Sequence, residues 1–195
     1  MEGDETLMAR YLEGDRQAFE QLFARLAPRI YGIFMRSFGE PTVAEELVQT
    51  TFLNMHRSRA TYRLGLPLRP WLFTIAVRVR RDELRRRYRL KEDCDEEALV
   101  RAEEAMAMSD AGGEGERQRD RAARVREAID RLPESQRIVV QLNRFEGLTF
   151  AQIAEILGTT ALAVRARAFR AYETLRVELA DLVRVPTERS GHDVA

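Results

Sequence analysis

The stretch Pro70–Arg89 sets the terms for the rest of this chain, because it opens apolar and ends basic within one helix length. With successive residues 100° apart, Phe73, Ala76, Val77, Leu84 and Tyr88 share one side. Leu72, Ile75 and Val79 widen that side near the N-terminal end, so this half can be buried almost all round. Trp71, Arg78, Arg85 and Arg89 fall on another side, spaced by seven, seven and four residues. An aromatic ring in line with guanidinium groups suits a single nucleic-acid strand: bases stack on the ring while arginine neutralises phosphates. The same arginines would also serve as an ordinary solvated face.

Charge along the chain sharpens the point. The net charge is zero, but its parts are unlike. Arg69–Lys91 holds nine basic residues against Asp82 and Glu83, whereas Glu92–Glu116 holds ten acids against Arg101 alone. A basic face of this kind is an electrostatic footprint for phosphate. Lys91 is the only lysine, so part of the arginine content is compositional habit.

The periodicity is helical throughout. Glu5–Glu13 reads as a short amphipathic helix on Leu7, Met8, Tyr11 and Leu12. Asp15 can cap the next helix, which runs through Phe19, Leu22, Phe23, Leu26, Ile30, Ile33 and Phe34. Pro28 should bend or split it, and Gly39 with Pro41 should end it. Thr42 and Glu45 suggest a capping box for a third helix with the apolar stripe Leu47, Val48, Thr51, Phe52 and Met55. A Gly/Pro-punctuated loop, 60–68, leads into the basic helix. These four helices make one bundle over residues 1–91.

Residues 92–116 are acidic, carry Gly112, Gly113 and Gly115, and read as a flexible linker, with 96–108 as its one candidate helix. A second helical domain follows over 117–184. Val125, Ala128, Ile129 and Leu132 line its first helix and Ile138, Val139, Leu142 and Phe145 the next. Thr149 and Gln152 form a capping box. Small Ala154, Gly158 at the turn and branched Val164 then have helix-turn-helix spacing. In the last helix Ala161, Val164, Ala168, Tyr172, Leu175, Leu179 and Leu182 form the core stripe. Leu162, Ala163, Ala166, Phe169 and Arg170 face the other way. An exposed Phe beside Arg can touch a thymine methyl while the Arg reaches a guanine edge or a phosphate. Residues 185–195 read as a polar tail. The expected fold class is therefore all-α, two small helical domains joined by an acidic linker.

Several functions are disfavoured. A lone Cys94 in an acidic run forms no internal disulfide and makes a poor nucleophile. His56 and His192 stand far apart with no ligand pattern, so no metal and no cofactor are expected. No carboxylate pair, Ser/His set or phosphate-binding glycine loop marks an enzyme. No run approaches a membrane span and the N-terminus is acidic, so the expectation is a cytoplasmic protein without membrane insertion.

Five segments, in order, carry a family resemblance: Val43–Phe52, Trp71–Ala76, Leu132–Arg137, Glu146–Thr149 and Ile153–Gly158. Together they resemble an extracytoplasmic-function (ECF) sigma factor of bacterial RNA polymerase, over residues 5 to 180 or so. The resemblance implies a sigma2-like four-helix bundle and a sigma4-like helix-turn-helix domain. It implies docking of the third helix on the clamp helices of the polymerase largest subunit through Glu46, Leu47, Gln49, Thr50 and Leu53. It implies −10 DNA binding by Tyr62, Arg63 and Leu64, which capture a flipped base, and by Trp71, Arg78, Arg81 and Arg85, which hold the opened strand. The −35 element falls to Arg165, Arg167, Phe169 and Arg170, with Thr159 and Thr160 near phosphates. The second domain's apolar outer surface would meet the flap of the second-largest subunit, and the acidic linker would follow a path that nucleic acid otherwise uses. The family often has an anti-sigma partner, which nothing in the sequence names.

Leu162–Ala163 replaces a common Gly-Thr pair, Ala166 a common Ser and Asn143 a frequent Arg, so no −35 preference is carried over. Two other readings remain at this point. One is a helix-turn-helix regulator that never joins polymerase; the other is a sigma-like protein that sequesters a regulator.

Overall fold

The computed structural model describes residues 2–92 and 114–183. Among the described residues every regular element is a helix. The first four are α1 (Asp4–Leu12), α2 (Arg16–Phe38), α3 (Pro41–Ser58) and α4 (Leu68–Glu92). The second set is α5 (Glu114–Arg131), α6 (Glu134–Val140), α7 (Phe150–Leu157), α8 (Ala161–Glu178) and the single turn α9 (Ala180–Val183). A π-type turn, Gln141–Phe145, extends α6. Helix α5 thus begins inside the segment expected to be linker. The candidate helix 96–108 and the tail 185–195 lie outside the described residues, as does most of 92–116.

Local chemistry explains most helix ends. Asp15 Oδ1 accepts from the amides of Gln17 (2.9 Å) and Ala18 (3.2 Å), so it caps α2 as expected. Gly39 closes α2 at φ 73°, a left-handed conformation that glycine adopts without a Cβ clash. Two expectations are corrected. Helix α2 is not split at Pro28: it runs on through the proline, which removes a single backbone donor while fully buried Ile30, Ile33 and Phe34 hold the next turns in the core. Helix α3 has no Thr42–Glu45 capping box. Pro41 occupies its first turn with a preset φ, Glu40 becomes the residue before the helix, and Thr42 is already inside.

Helices α1–α4 pack as the expected bundle, with Leu7, Met8, Leu22, Leu26, Met55, Leu72 and Phe73 fully buried. Val48, Thr51 and Phe52 turn inward from α3. In α4 the apolar stripe stops at Val79: Leu84 is half-buried, and Tyr88 is 62% exposed rather than in the core. The helix has by then run past the bundle it packs on.

Helices α6, α7 and α8 form the second unit around Val139, Leu142, Ile153 and Val164, with α5 against α8. Val125 and Phe145, expected inside, are 36% and 43% exposed. The Thr149–Gln152 capping box is present in both directions, and Gly158 ends α7 at φ 66°. Helix α7 also packs against α4, and one continuous apolar cluster runs through both units.

Candidate nucleic-acid and polymerase surfaces

The basic helix is best understood by asking which of its arginines are already occupied. Arg80 is 4% exposed; its Nε donates to Ser37 Oγ at 2.6 Å and its Nη1 meets Glu134 Oε1 at 3.0 Å. Arg86 and Arg87 both reach Glu83, at 2.7 and 2.8 Å, and Arg87 also pairs with Glu40 and stacks on the Phe38 ring. Arg69 pairs with Asp4. Arg78, Arg81 and Arg85 are exposed and make no ion pair among the described residues. Arg89 is exposed too and donates only to the Arg85 carbonyl, so four arginines of this helix present a guanidinium to solvent with no carboxylate attached among the described residues.

Glu83 does the sorting. Its side chain is 8% exposed, and the Arg86 hydrogen bond, then that of Arg87, hold its carboxyl below the ordinary carboxylate range. A lowered folded pKa contributes stability above the unfolded value and loses it as pH falls through the folded one. Glu83→Gln is therefore expected to destabilise the chain by about 1 kcal/mol at pH 7, the figure being discounted because Arg86 is mostly solvated. The gap should close as pH falls below the carboxylate range. Chemical denaturation of both proteins at pH 7 and pH 3 checks this; a gap independent of pH would refute it.

The loop before α4 is ordered by its own side chains. Tyr62 is only 7% exposed, its hydroxyl donates to the Leu66 carbonyl, and its ring lies 5.2 Å from that of Trp71. Burial raises the Tyr62 pKa, which keeps the hydroxyl a donor. Tyr62 therefore supports the loop from beneath rather than offering its ring face. Arg63 is exposed, as is Leu64 at 64%. Tyr62, Arg63 and Trp71 line a cavity of about 400 Å³ whose far wall is Gln152, Glu155 and Ile156 of α7. Trp71 is half-buried there.

On α3, Glu46, Gln49, Thr50 and Leu53 form an exposed face, with Leu53 48% accessible and Leu47 half-buried at its edge. Thr50 Oγ1 donates back to the Glu46 carbonyl at 2.8 Å. The five residues lie on one helix and share this side of the bundle.

On α8, Arg165, Phe169 and Arg170 project together, Phe169 at 68% exposure, and Leu162 at 77% extends the apolar part of that face. Arg167 is separated from them. It is half-buried and lines a small cavity with Arg80 and Arg81 of α4. Thr160 is the α8 cap, its hydroxyl accepting from the Ala163 amide at 3.1 Å, and Thr159 is half-buried in the turn.

Sequence reasoning gave no role to the polar groups where the two units meet. Glu146, whose side chain is 3% exposed, takes Arg29 Nε at 2.7 Å, and Arg36 stacks on the Phe145 ring at 4.6 Å. The buried carboxylate at the end of a helical turn was the available signal; its partner 117 residues away was not. Among the described residues no group of three His, Cys, Asp or Glu side chains could hold a metal ion, and no helix is long and apolar enough to cross a membrane.

Comparison with known proteins matches both units. The family model "Sigma-70 region 2" matches residues 22–90, and "Sigma-70, region 4" matches 122–175. The chain is 37% identical to the RNA polymerase sigma factor CarQ of Myxococcus xanthus, over 90% of this chain and 97% of that one. It is 31% identical to the RNA polymerase sigma-H factor of Pseudomonas aeruginosa, over 94% and 97%. Among solved structures it resembles the sigma factor RpoE in complex with the anti-sigma factor NepR from Bartonella quintana. That match has a TM-score of 0.68 and 22% identity, covering 85% of this chain and 98% of that one. It also resembles CnrH in complex with the cytosolic domain of CnrY, with a TM-score of 0.64 and 27% identity, covering 93% and 99%.

Proposed function

The chain belongs to the sigma-70 family, in its extracytoplasmic-function branch, and from that premise we propose how its surfaces divide the work of starting transcription. As an alternative sigma factor it binds core RNA polymerase, recognises −35 and −10 promoter elements and promotes promoter melting and initiation. Residues 1–91 serve polymerase and the −10 element, 117–184 the −35 element, and the acidic 92–116 segment links them.

The observation that carries this division is the trio Arg78, Arg81 and Arg85, exposed and unclaimed by carboxylates among the described residues, with Trp71 at the base of the same helix. Backbone phosphates of the opened strand run along the trio. A flipped base enters beside Arg63, Leu64 and Trp71, while Tyr62 holds the loop. Stacking at about 1–3 kcal/mol per base offsets lost pairing, so melting proceeds by binding, without a chemical step. Glu46, Leu47, Gln49, Thr50 and Leu53 dock on the clamp helices of the largest subunit. Arg165, Phe169 and Arg170 enter the −35 major groove, with Thr159, Thr160 and Arg167 at its margin, and the apolar outer surface of this unit meets the second-largest-subunit flap. The protein acts in the cytoplasm. An anti-sigma factor is a fitting regulator, since both structural relatives were solved with protein partners and RpoE's is an anti-sigma factor.

Run-off transcription with purified core polymerase on fragmented genomic DNA of the source bacterium tests the reading. Discrete new transcripts are expected when the chain is added. Core binding without transcripts would favour a sigma-like sequestering protein. Duplex binding with no core association would favour a helix-turn-helix regulator.

A further inference from the structure

Leu162 is the most exposed large apolar side chain among the described residues, at 77%. An exposed leucine is ordinary on a protein surface; the place of this one is not. Thr160 caps α8 from outside, so Leu162 is the second residue of the helix, where a recognition helix meets base edges in the major groove.

Leu162 and Phe169 are seven residues apart and share one side of α8, with Arg165 and Ala166 between them there. All four are exposed. At 1.5 Å per residue the two apolar side chains stand about 10 Å apart along the axis, close to three base-pair steps of about 3.4 Å. Arg165 and Arg170 make no ion pair among the described residues. Residues 161–170 carry no side-chain hydroxyl, amide or carboxylate. What this stretch can offer a base edge is therefore guanidinium or hydrocarbon. Guanidinium suits guanine, and hydrocarbon suits the thymine 5-methyl group.

We infer that Leu162 is a specificity-determining residue of the −35 contact: it packs on a thymine 5-methyl group, about three base pairs from the position under Phe169. The inference rests on the functional reading above. A cytosine in the same place lacks the methyl and presents an amino donor that leucine cannot accept, so it is disfavoured twice. Leu162 brings no charge. Its contact selects sequence without adding to salt dependence, whereas Arg165 neutralises phosphate or takes guanine.

Holoenzyme assembled from the full chain and core polymerase provides the test, on the promoter recovered by run-off. Each thymine of the −35 segment, on either strand, is replaced singly by deoxyuridine, which lacks only the 5-methyl group. Wild-type holoenzyme is expected to lose about three- to fourfold in affinity at two positions, the worth of one buried methyl group. Leu162→Ala should bind the unmodified duplex more weakly by the same factor and respond to deoxyuridine at one of these positions by less than about 1.5-fold, while the other keeps its full effect. Phe169→Ala should give the converse pattern. Leu162→Met, which keeps the hydrocarbon, should retain both responses. Because Leu162 is so exposed, its alanine variant should unfold at the wild-type temperature. The salt slope should stay unchanged in Leu162→Ala and fall in Arg165→Ala.

No deoxyuridine effect on the wild type, or an unaltered pattern in Leu162→Ala, would overturn the role of Leu162. The −35 reading would then stand on nuclease protection of that segment and on the Arg165→Ala slope. Loss of both responses in Leu162→Ala would mean that the helix reseats as a whole, which overturns the single contact as well. If run-off recovers no promoter, or if scrambling the −35 segment and Arg165→Ala both leave affinity unchanged, the −35 reading itself fails and Leu162 loses its role with it.

Discussion

Replacing Arg78 and Arg85 together with alanine is expected to cut run-off transcription at least tenfold while leaving thermal unfolding where it was. Neither side chain is buried, and neither holds a carboxylate among the described residues, so the fold gives up nothing when they go. What is lost is phosphate neutralisation. For single-stranded DNA the logarithmic salt slope changes by about 0.7 per contact, so removing two should flatten it by about 1.4. The same substitutions at Arg86 and Arg87 should do the reverse: modest destabilisation through Glu83, little change in salt slope. Titrating salt in an oligonucleotide binding assay separates the pairs. Equal slopes for wild type and Arg78→Ala/Arg85→Ala would place the strand elsewhere.

The largest effect on stability is expected at Phe73. It is fully buried at the start of α4, two residues from Trp71, where the apolar side of that helix meets the bundle. Phe73→Ala removes a ring and leaves a cavity, which costs about 3–5 kcal/mol. For a chain of this size that lowers the melting temperature by about 10 °C. Because Phe73 anchors the helix that carries Arg78, Arg81 and Arg85, strand binding should weaken along with stability. Phe169→Ala offers the contrast. A 68% exposed ring on α8 can be removed with no change in melting temperature. Calorimetry on both variants decides the matter; a comparable loss at Phe169 would mean that its ring is packed.

Much of this was legible in sequence because it is local. The Asp15 cap, the Thr149–Gln152 box and the left-handed Gly39 and Gly158 each involve residues within a turn of one another. Pro28 and Thr42 were misread for a related reason. Local rules give a proline inside a helix its intrinsic cost but not the packing that offsets it, and they did not foresee that Pro41 claims the first turn of α3. The outward face of α8 emerged from helical spacing, whereas Glu46, Leu47, Gln49, Thr50 and Leu53 of α3 came from the family resemblance, and the structure places both sets mainly at the surface.

What spacing could not supply was the partition of the arginines. Arg80 and Arg81 are neighbours in sequence, yet one is buried against residues 43 and 54 positions away and the other is exposed. Partners that distant follow from how the units pack, as does the removal of Arg167 from the α8 face.

The Tyr62 hydroxyl bond to the Leu66 carbonyl bears on timing. A loop tied across four residues has given up its conformational freedom during folding, about 1–2 kcal/mol for each residue fixed. A ligand arriving beside Arg63 and Leu64 then has no disorder to remove, and association is limited by the ligand's own rearrangement. On the −10 role proposed above for Arg63 and Leu64, the slow partner at that surface is the double helix, which must unstack, while the loop waits in its final shape.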